Sequence, residues 1–295
     1  MNNVGKDSIG AIVFKTFNYL LMMFFVVICI YPMLYVLFAS VSDSSQLMAQ
    51  AGPLVKPLGF DISSYKKVFE NEMIMVGYKN TILYLVVGVL INMLLTIMGA
   101  YVLSRKNVYF KKYFMLMILI TMYFGGGLIP IYLTVKSLGL TNTMWAILLP
   151  TALSTYNMFV MRTGFDAVPH SLTEAATIDG AGHMTTLFKV MLPLVKPMLA
   201  VICLYYAVGQ WNSWFPAAIY LDDRKKFPLQ LVLREILVSN DTTSMTSDAS
   251  MGEVAQVGQT IKYATVIVST VPILVVYPFL QKYFESGVLI GSIKG

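Results

Sequence analysis

Charged residues are scarce in this sequence and absent from long parts of it. Asp, Glu, Lys and Arg make up 12% of the residues, whereas 57% are hydrophobic. Six runs contain none of the four charged residue types: 16–41, 80–104, 113–135, 137–161, 197–221 and 263–281. A helix that crosses a membrane needs about 20 predominantly apolar residues, so each run is long enough. The sequence therefore predicts an all-α polytopic membrane protein with six transmembrane helices.

Cysteine and histidine are almost missing as well. Both cysteines, Cys29 and Cys203, lie inside predicted spans, where two small apolar side chains are a simpler interpretation than a disulfide or a metal site. The two histidines, His170 and His183, are too far apart in sequence to hold a metal on one helix face. We therefore predict no metal site and no catalytic residue in this chain.

The predicted spans also lack the groups that would supply energy for transport. Ion-driven transporters commonly place an Asp, Glu or His within the membrane, and its absence argues against proton coupling. Sodium coupling through backbone carbonyls stays open. The only Gly-Lys pair, Gly5-Lys6, lacks the upstream glycine of a P-loop. If this protein moves a solute uphill, the energy has to come from another subunit.

The short loops predict the orientation in the membrane. The loop between the second and third spans carries Arg105, Lys106, Lys111 and Lys112 without an acidic residue, whereas the next loop carries only Lys136. The positive-inside rule places the first of these loops in the cytoplasm. Both termini then lie in the cytoplasm too. The net charge of +6 belongs to such loops and gives no reason to expect nucleic acid as a partner.

These spans divide the chain into one membrane domain and its connecting segments. Residues 1–15 form a cytoplasmic N-terminal segment, and 16–295 form a single permease-type domain. Its predicted coupling loop is 162–196, its external segments are 42–79 and 222–262, and its cytoplasmic tail is 282–295. A short amphipathic helix is predicted within the first external segment, at 61–69.

A polar segment between the fourth and fifth spans carries a distinctive pattern. The order Ser171-Leu172-Thr173-Glu174 is typical of a capping box, with Ser171 as the N-cap of a helix. Ala175 and Ala176 keep one face of that helix thin, and Asp179-Gly180-Ala181 breaks it. A polar helix between membrane spans offers a surface on which another protein can push. An amphipathic helix that merely caps the bundle is the alternative.

Uncharged polar and aromatic residues inside the spans are candidates for a substrate pathway. Amides and hydroxyls that face lipid are costly, so they face protein or a cavity. Aromatic rings beside hydrogen-bonding groups suit a sugar, although helix packing and interfacial belts explain the same residues. The candidates are Tyr123, Tyr132, Asn157, Gln210, Trp211, Asn212 and Trp214.

Several motifs together resemble one family of membrane proteins. Glu174-Ala175-Ala176, Asp179-Gly180-Ala181, Phe188 and Leu192-Pro193 resemble the cytoplasmic EAA loop of ABC-importer permeases. Segments 126–130, 137–143, 229–237, 277–284 and 287–295 are similar to the maltose-permease class of carbohydrate ABC importers, in its LplC/YtcP-like branch. The resemblance covers nearly the whole chain.

The resemblance implies a fold and a set of partners. The fold is that of type I ABC importer permeases, with a cytoplasmic coupling helix formed by Glu174, Ala175, Ala176, Asp179, Gly180 and Ala181. The chain itself would hold no cofactor, because ATP and Mg would be bound by an ABC ATPase dimer. A second homologous permease, an extracellular solute-binding lipoprotein and an oligosaccharide substrate complete the set, in a bacterial cytoplasmic membrane. The tail residues Gly291, Ser292, Ile293 and Lys294 would contact the ATPase, unless the terminus is simply frayed.

Two other functions stay open at this point. The chain could be an ABC permease for a peptide, an amino acid or phosphate, although charged cargo usually meets a countercharge in the membrane. It could also be a self-sufficient secondary transporter or channel. The exposed coupling-type helix and the lack of a detectable inverted repeat argue against that class.

Overall fold

The computed structural model of the chain describes residues 8–50, 52–238, 258–276 and 278. Within these ranges the regular structure is entirely helical. The helices are α1 (Ile9–Ser40), α2 (Ser44–Ala49), α3 (Ser63–Glu70), α4 (Glu72–Ser104), α5 (Lys111–Tyr123), α6 (Leu128–Ser137), α7 (Met144–Leu148), α8 (Thr155–Asp166), α9 (His170–Ile178), α10 (His183–Thr185), α11 (Leu192–Leu194), α12 (Lys196–Trp211), α13 (Phe215–Tyr220), α14 (Leu229–Val238) and α15 (Gly258–Val276). A π-helical turn, Thr186–Met191, joins α10 to α11, and a 3-10 turn, Arg224–Lys226, precedes α14.

The chain divides into two compact units. The first comprises Met1–Asn71 with Ile236–Val268, and the second comprises Glu72–Glu235 with Ser269–Gly295. In the first unit, α1 has an exposed apolar surface, the form of a helix that lies in hydrocarbon. The C-terminal end of α1 contributes Ala39 to a small core with Leu47 and Leu54. The predicted external amphipathic helix is present as α3, whose Ser64 donates to Thr260 at 2.9 Å.

The second unit is built around α4. This helix packs against α8 and α12, and its residues Ala100, Tyr101 and Leu103 join a buried cluster that continues through Met158 and Ile202. Small residues allow close approach along α4. A Cβ at Gly77 would lie 3.0 Å from the Leu229 Cα, and a Cβ at Gly88 would lie 2.9 Å from Gln210 Nε2. The same buried cluster includes Val168, Leu187, Met191 and Val195, which follow α8 in the chain.

The described helices do not reproduce six uninterrupted spans. By length and composition, α1, α4 and α15 are each able to cross a membrane within the part of the chain that the structure describes. Two further candidates are bent pairs: α5 with α6, at 110°, and the segment His183–Leu194 with α12, at 88°. The predicted span 137–161 is divided between the end of α6, the short α7 and the start of α8. Lack of charge identified the apolar segments, but it did not show where a helix breaks.

Glycine and proline account for the two bends. Between α5 and α6 the chain passes through Gly125–Gly127, where Gly127 has φ = 83°, a left-handed conformation that favours glycine. Between α11 and α12 lies Val195, flanked by Pro193 and Pro197, which cannot donate backbone hydrogen bonds. The predicted span 113–135 is divided between α5 and α6, and the predicted span 197–221 is divided between α12 and α13.

Candidate functional site

The predicted coupling loop folds around α9, which begins earlier than the capping box predicted. The helix starts at His170 with Pro169 in the N-cap position, and no side chain caps it. A proline restricts the residue before it, here Val168, so a helix can begin directly after it. Ser171 is therefore the second helical residue, and the capping-box prediction is wrong. The Thr173 hydroxyl instead donates to the His170 carbonyl at 2.9 Å.

The end of α9 explains the Asp179-Gly180-Ala181 part of the motif. The helix ends at Ile178, and Gly180 has φ = 82°. The Ala181 N–H donates to the Ala176 carbonyl at 2.8 Å, and the Gly180 N–H donates to the Thr177 carbonyl at 3.0 Å. These two bonds form a Schellman motif, which satisfies carbonyls that a helix end otherwise leaves unpaired. The predicted helix break at this point is confirmed.

One face of α9 is buried and the other is exposed. Thr173 and Ala176 are buried, whereas Glu174, Ala175 and Asp179 are exposed. The small side chain of Ala176 therefore allows α9 to pack closely on its own chain, and Ala175 keeps the outer face thin. The motif presents its two carboxylates to the surroundings.

Large apolar side chains of the same loop are exposed too. The exposed fraction is 85% for Ile178 and 60% for Met184. Leu172 and Phe188 are also largely exposed. Exposed apolar residues in a group, with charged residues among them, are typical of protein interaction sites.

The loop is anchored to α4 by Tyr101. Its hydroxyl donates to the His183 carbonyl at 3.1 Å, and its ring makes an edge contact with Phe165, with 6.1 Å between centroids. The guanidinium carbon of Arg105 lies 4.2 Å from the centroid of the same ring. Further along, Leu187 is buried in the core around α4. A displacement of the loop would therefore act directly on the end of α4.

The aromatic pathway candidates lie in different surroundings. Tyr132 stacks on Tyr220 at 5.9 Å, and Tyr123 is largely exposed. Trp211 is buried against Tyr78, and its indole Nε1 has no hydrogen-bond partner among the residues that the structure describes. Trp214 is half-buried, and the Arg234 guanidinium lies over its ring with 3.8 Å from its carbon to the ring centroid.

The amide candidates are not brought together with these rings. Asn157 is buried near the start of α8, where its N–H donates to the Ser154 hydroxyl at 3.3 Å. Gln210 packs near Gly88. The exposed Asn212 donates from its side chain to the Val208 carbonyl at 2.9 Å. None of the seven candidates contacts another through a side-chain hydrogen bond or a ring contact.

A groove of about 520 Å³ lies elsewhere in the second unit, beside the break between α5 and α6. Its lining is mostly apolar and includes none of the seven candidates. The lining residues are Gly126, Pro130, Ile131, Thr134, Val135, Leu138, Leu140, Leu149 and Pro150.

A buried polar cluster on α4, α8 and α12 was missed by the sequence reasoning. Asn92 donates to the Thr151 carbonyl at 2.7 Å, which satisfies a backbone group where the predicted fourth span is broken. The Tyr206 hydroxyl accepts from the Ser154 N–H at 3.0 Å and bonds to the Thr96 hydroxyl at 2.7 Å. Asn92 and Thr96 lie four residues apart on one face of α4, which is the signal that could have revealed the cluster.

The predicted tail contact falls outside the described residues. Gly291, Ser292, Ile293 and Lys294 all follow Pro278, the last described position. Their role stays a prediction from the family resemblance.

The comparison with known proteins identifies the family. Residues 74–290 match the family described as binding-protein-dependent transport system inner membrane component. The chain belongs to this family. The matched region contains α9, its motif and the polar cluster.

The relatives of this transport component include sugar permeases. It is 37% identical to the polygalacturonan/rhamnogalacturonan transport system permease protein YtcP of Bacillus subtilis, over 95% of this chain and 96% of that protein. It is 39% identical to Protein LplC of the same organism, over 91% of this chain and 90% of that protein. The resemblance to this branch is confirmed.

A solved structure shares the fold. A chain from the crystal structure of a bacterial ABC transporter involved in the import of the acidic polysaccharide alginate matches with a TM-score of 0.87 and 31% identity. The match covers 95% of this chain and 100% of that chain. The all-helical fold is therefore that of an ABC importer permease.

Proposed function

We propose that this chain is the permease subunit of an ATP-driven importer that takes up an oligosaccharide delivered by an external solute-binding lipoprotein. The observation that carries the proposal is α9, whose exposed face presents Glu174 and Asp179 among apolar side chains. Such a surface fits a partner protein. Membership of a binding-protein-dependent transport family supports an ATPase as that partner.

Energy coupling would pass through the anchored loop. A pair of ATPase subunits would bind ATP and Mg and would move α9 when they close. Because Tyr101 joins the loop to α4, that movement would reach the helix around which the second unit packs. The pathway would then alternate between inward-facing and outward-facing states. The chain itself contributes no catalytic group and no cofactor to this cycle.

The membrane arrangement we propose has six crossings and both termini in the cytoplasm. The three long helices and two bent pairs support five of them. The sixth would contain the break between α7 and α8, where Asn92 and Tyr206 satisfy backbone groups that lipid could not satisfy. A second, homologous permease would complete the pathway, and the tail residues 291–294 would add an ATPase contact.

The substrate we propose is an acidic oligosaccharide made of uronate units. Two observations support this class: YtcP is named for polygalacturonan and rhamnogalacturonan, and the matching solved transporter imports the acidic polysaccharide alginate. Both names refer to uronate-containing polysaccharides.

Charge reversal at the motif tests the proposal. Glu174→Lys is expected to reduce uptake of a labelled oligosaccharide to background in cells that carry the complete transporter, because it places a cation where the partner meets a carboxylate. Immunoblotting of membranes is expected to show normal insertion, since Glu174 is exposed. Glu70→Lys, an equal charge change at an exposed site on α3, is the matched control. Normal uptake by Glu174→Lys would contradict the coupling role of α9.

A further inference from the structure

A tryptophan near the end of the fifth predicted span and an arginine in the segment that follows it form a stacked pair. Trp214 lies between α12 and α13, and Arg234 lies on α14. The guanidinium carbon of Arg234 is 3.8 Å from the centroid of the Trp214 ring, within the range of a cation–π interaction. Stacking fixes the plane of the guanidinium and leaves the N–H groups at its edge free to donate.

Arg234 is not neutralised by the adjacent carboxylate. Glu235 accepts a hydrogen bond from Arg224 Nη2 at 2.6 Å, so its charge is already paired. Arg234 is exposed and makes no ion pair with any other described residue. A planar guanidinium with a fixed orientation, and with no carboxylate partner in the described part of the chain, is suited to bind a carboxylate through two parallel hydrogen bonds.

The position of α14 is fixed by contacts with α4. The Leu229 N–H, at the start of α14, donates to the Thr81 hydroxyl at 2.8 Å. Asn80 donates to the Phe227 carbonyl at 3.0 Å, and Tyr84 donates to the Lys226 carbonyl at 2.8 Å. The helix that carries Arg234 is therefore held against the second unit before any ligand is present, which lowers the cost of ordering the site on binding.

We infer that Arg234, stacked on Trp214, is a recognition site for the carboxylate of a uronate unit as an acidic oligosaccharide passes through the permease. This inference rests on the proposed function and adds the residue that meets the acidic group. The exposed edge of the guanidinium donates to the carboxylate. The indole holds the guanidinium in place and offers an apolar rim to the sugar ring.

The test uses cells that carry the complete transporter and tritiated trigalacturonate as the probe, with its methyl ester as the uncharged counterpart on the same sugar chain. Arg234→Gln is expected to lower kcat/KM for trigalacturonate about tenfold, the effect of losing a hydrogen-bonded charge, and to leave uptake of the ester unchanged. Lys225→Gln removes the same charge from an exposed neighbour and is the matched control. The control variant is expected to change the uptake of neither substrate.

A second variant is used if the first one misfolds. If Arg234→Gln is missing from immunoblots of the membrane, Arg234→Lys replaces it. That variant keeps the charge but loses the paired donors, and it is expected to lower trigalacturonate uptake about threefold with no effect on the ester.

Three outcomes would overturn the inference. Uptake of the acid and the ester could fall together in the arginine variants, as expected for a purely structural role. Arg234→Gln and Lys225→Gln could have equal effects, as expected for general electrostatic attraction. Uptake of trigalacturonate could also be unchanged in the arginine variants. If the unmodified transporter imports neutral oligosaccharides but no trigalacturonate, the uronate part of the proposed function fails, whereas failure to import any sugar contradicts the proposed function itself.

Discussion

Two glycines in the predicted coupling loop have different structural roles. Gly180 has φ = 82° and donates the inner bond of the Schellman motif, whereas Gly182 has φ = −71°, which any residue adopts. A Cβ would meet no atom within 4 Å at either position. The two sites therefore differ in backbone conformation and not in available space.

Alanine substitutions at these two positions are expected to show whether uptake depends on the left-handed backbone conformation of Gly180. Gly180→Ala forces a non-glycine residue into the left-handed region at a cost of about 1 kcal/mol, and it is expected to fray the end of α9 and lower oligosaccharide uptake several-fold. Gly180→Asn is expected to retain more activity, since asparagine tolerates this conformation. Uptake normalised to the immunoblotted amount of chain in the membrane is the measurement.

Gly182→Ala is the control for this pair and is expected to leave uptake unchanged. Equal losses in Gly180→Ala and Gly182→Ala would contradict the role of the Schellman motif.

The residue types of the motif predicted where α9 ends, but not where it begins. The break at Gly180 follows from glycine's conformational freedom, which the sequence makes visible. The start of α9 does not follow from Ser171, because a proline two residues earlier provides another place for the helix to begin. The availability of Arg234 could not be predicted either, since it depends on which arginine pairs with Glu235.

At the scale of the helices, the break between α7 and α8 is stabilised by side chains from other helices. The Tyr206 hydroxyl contacts both the Ser154 N–H and the Thr96 hydroxyl. Removal of that hydroxyl would leave a backbone donor unpaired in a partly buried setting, which lowers the free energy of unfolding.

Tyr206→Phe is therefore expected to destabilise the purified transporter. A loss of about 1 kcal/mol would lower the apparent Tm by about 2–4 °C in a thermal scan in detergent. Tyr205→Phe removes the same atom from the adjacent exposed residue and is expected to change the Tm little. An unchanged Tm in Tyr206→Phe would mean that the hydroxyl does not stabilise the break.

Apolar composition predicted which segments of the chain form apolar helices, but not the continuity of each helix. The glycines at 125–127 are a local signal for one break, because glycine and proline both weaken helices. The break after Leu149 was not predicted, although Pro150 is a local signal for it, and the hydrogen bonds from Asn92 and Tyr206 that stabilise it come from residues far away in sequence. Long-range hydrogen bonds of this kind are not visible in the local pattern of apolar residues.

For the whole molecule, the exposed surfaces indicate a subunit of a larger assembly. The helix α1 exposes most of its large apolar side chains, and α9 exposes apolar residues around two carboxylates. Lipid can cover the first surface, whereas the second lies in a polar loop and fits a protein partner. An energy source outside this chain agrees with the absence of Asp, Glu, Lys, Arg and His from the six predicted spans.

Purification of the tagged chain from its native membrane, with mass spectrometry of the proteins that accompany it, tests the central claim most directly. We expect an ABC ATPase, a second permease of the same family and a solute-binding lipoprotein to accompany the chain. We also expect Glu174→Lys to lose the ATPase while it keeps the second permease. A chain that is purified alone and moves solute in liposomes without ATP would contradict the account and would support a self-sufficient transporter.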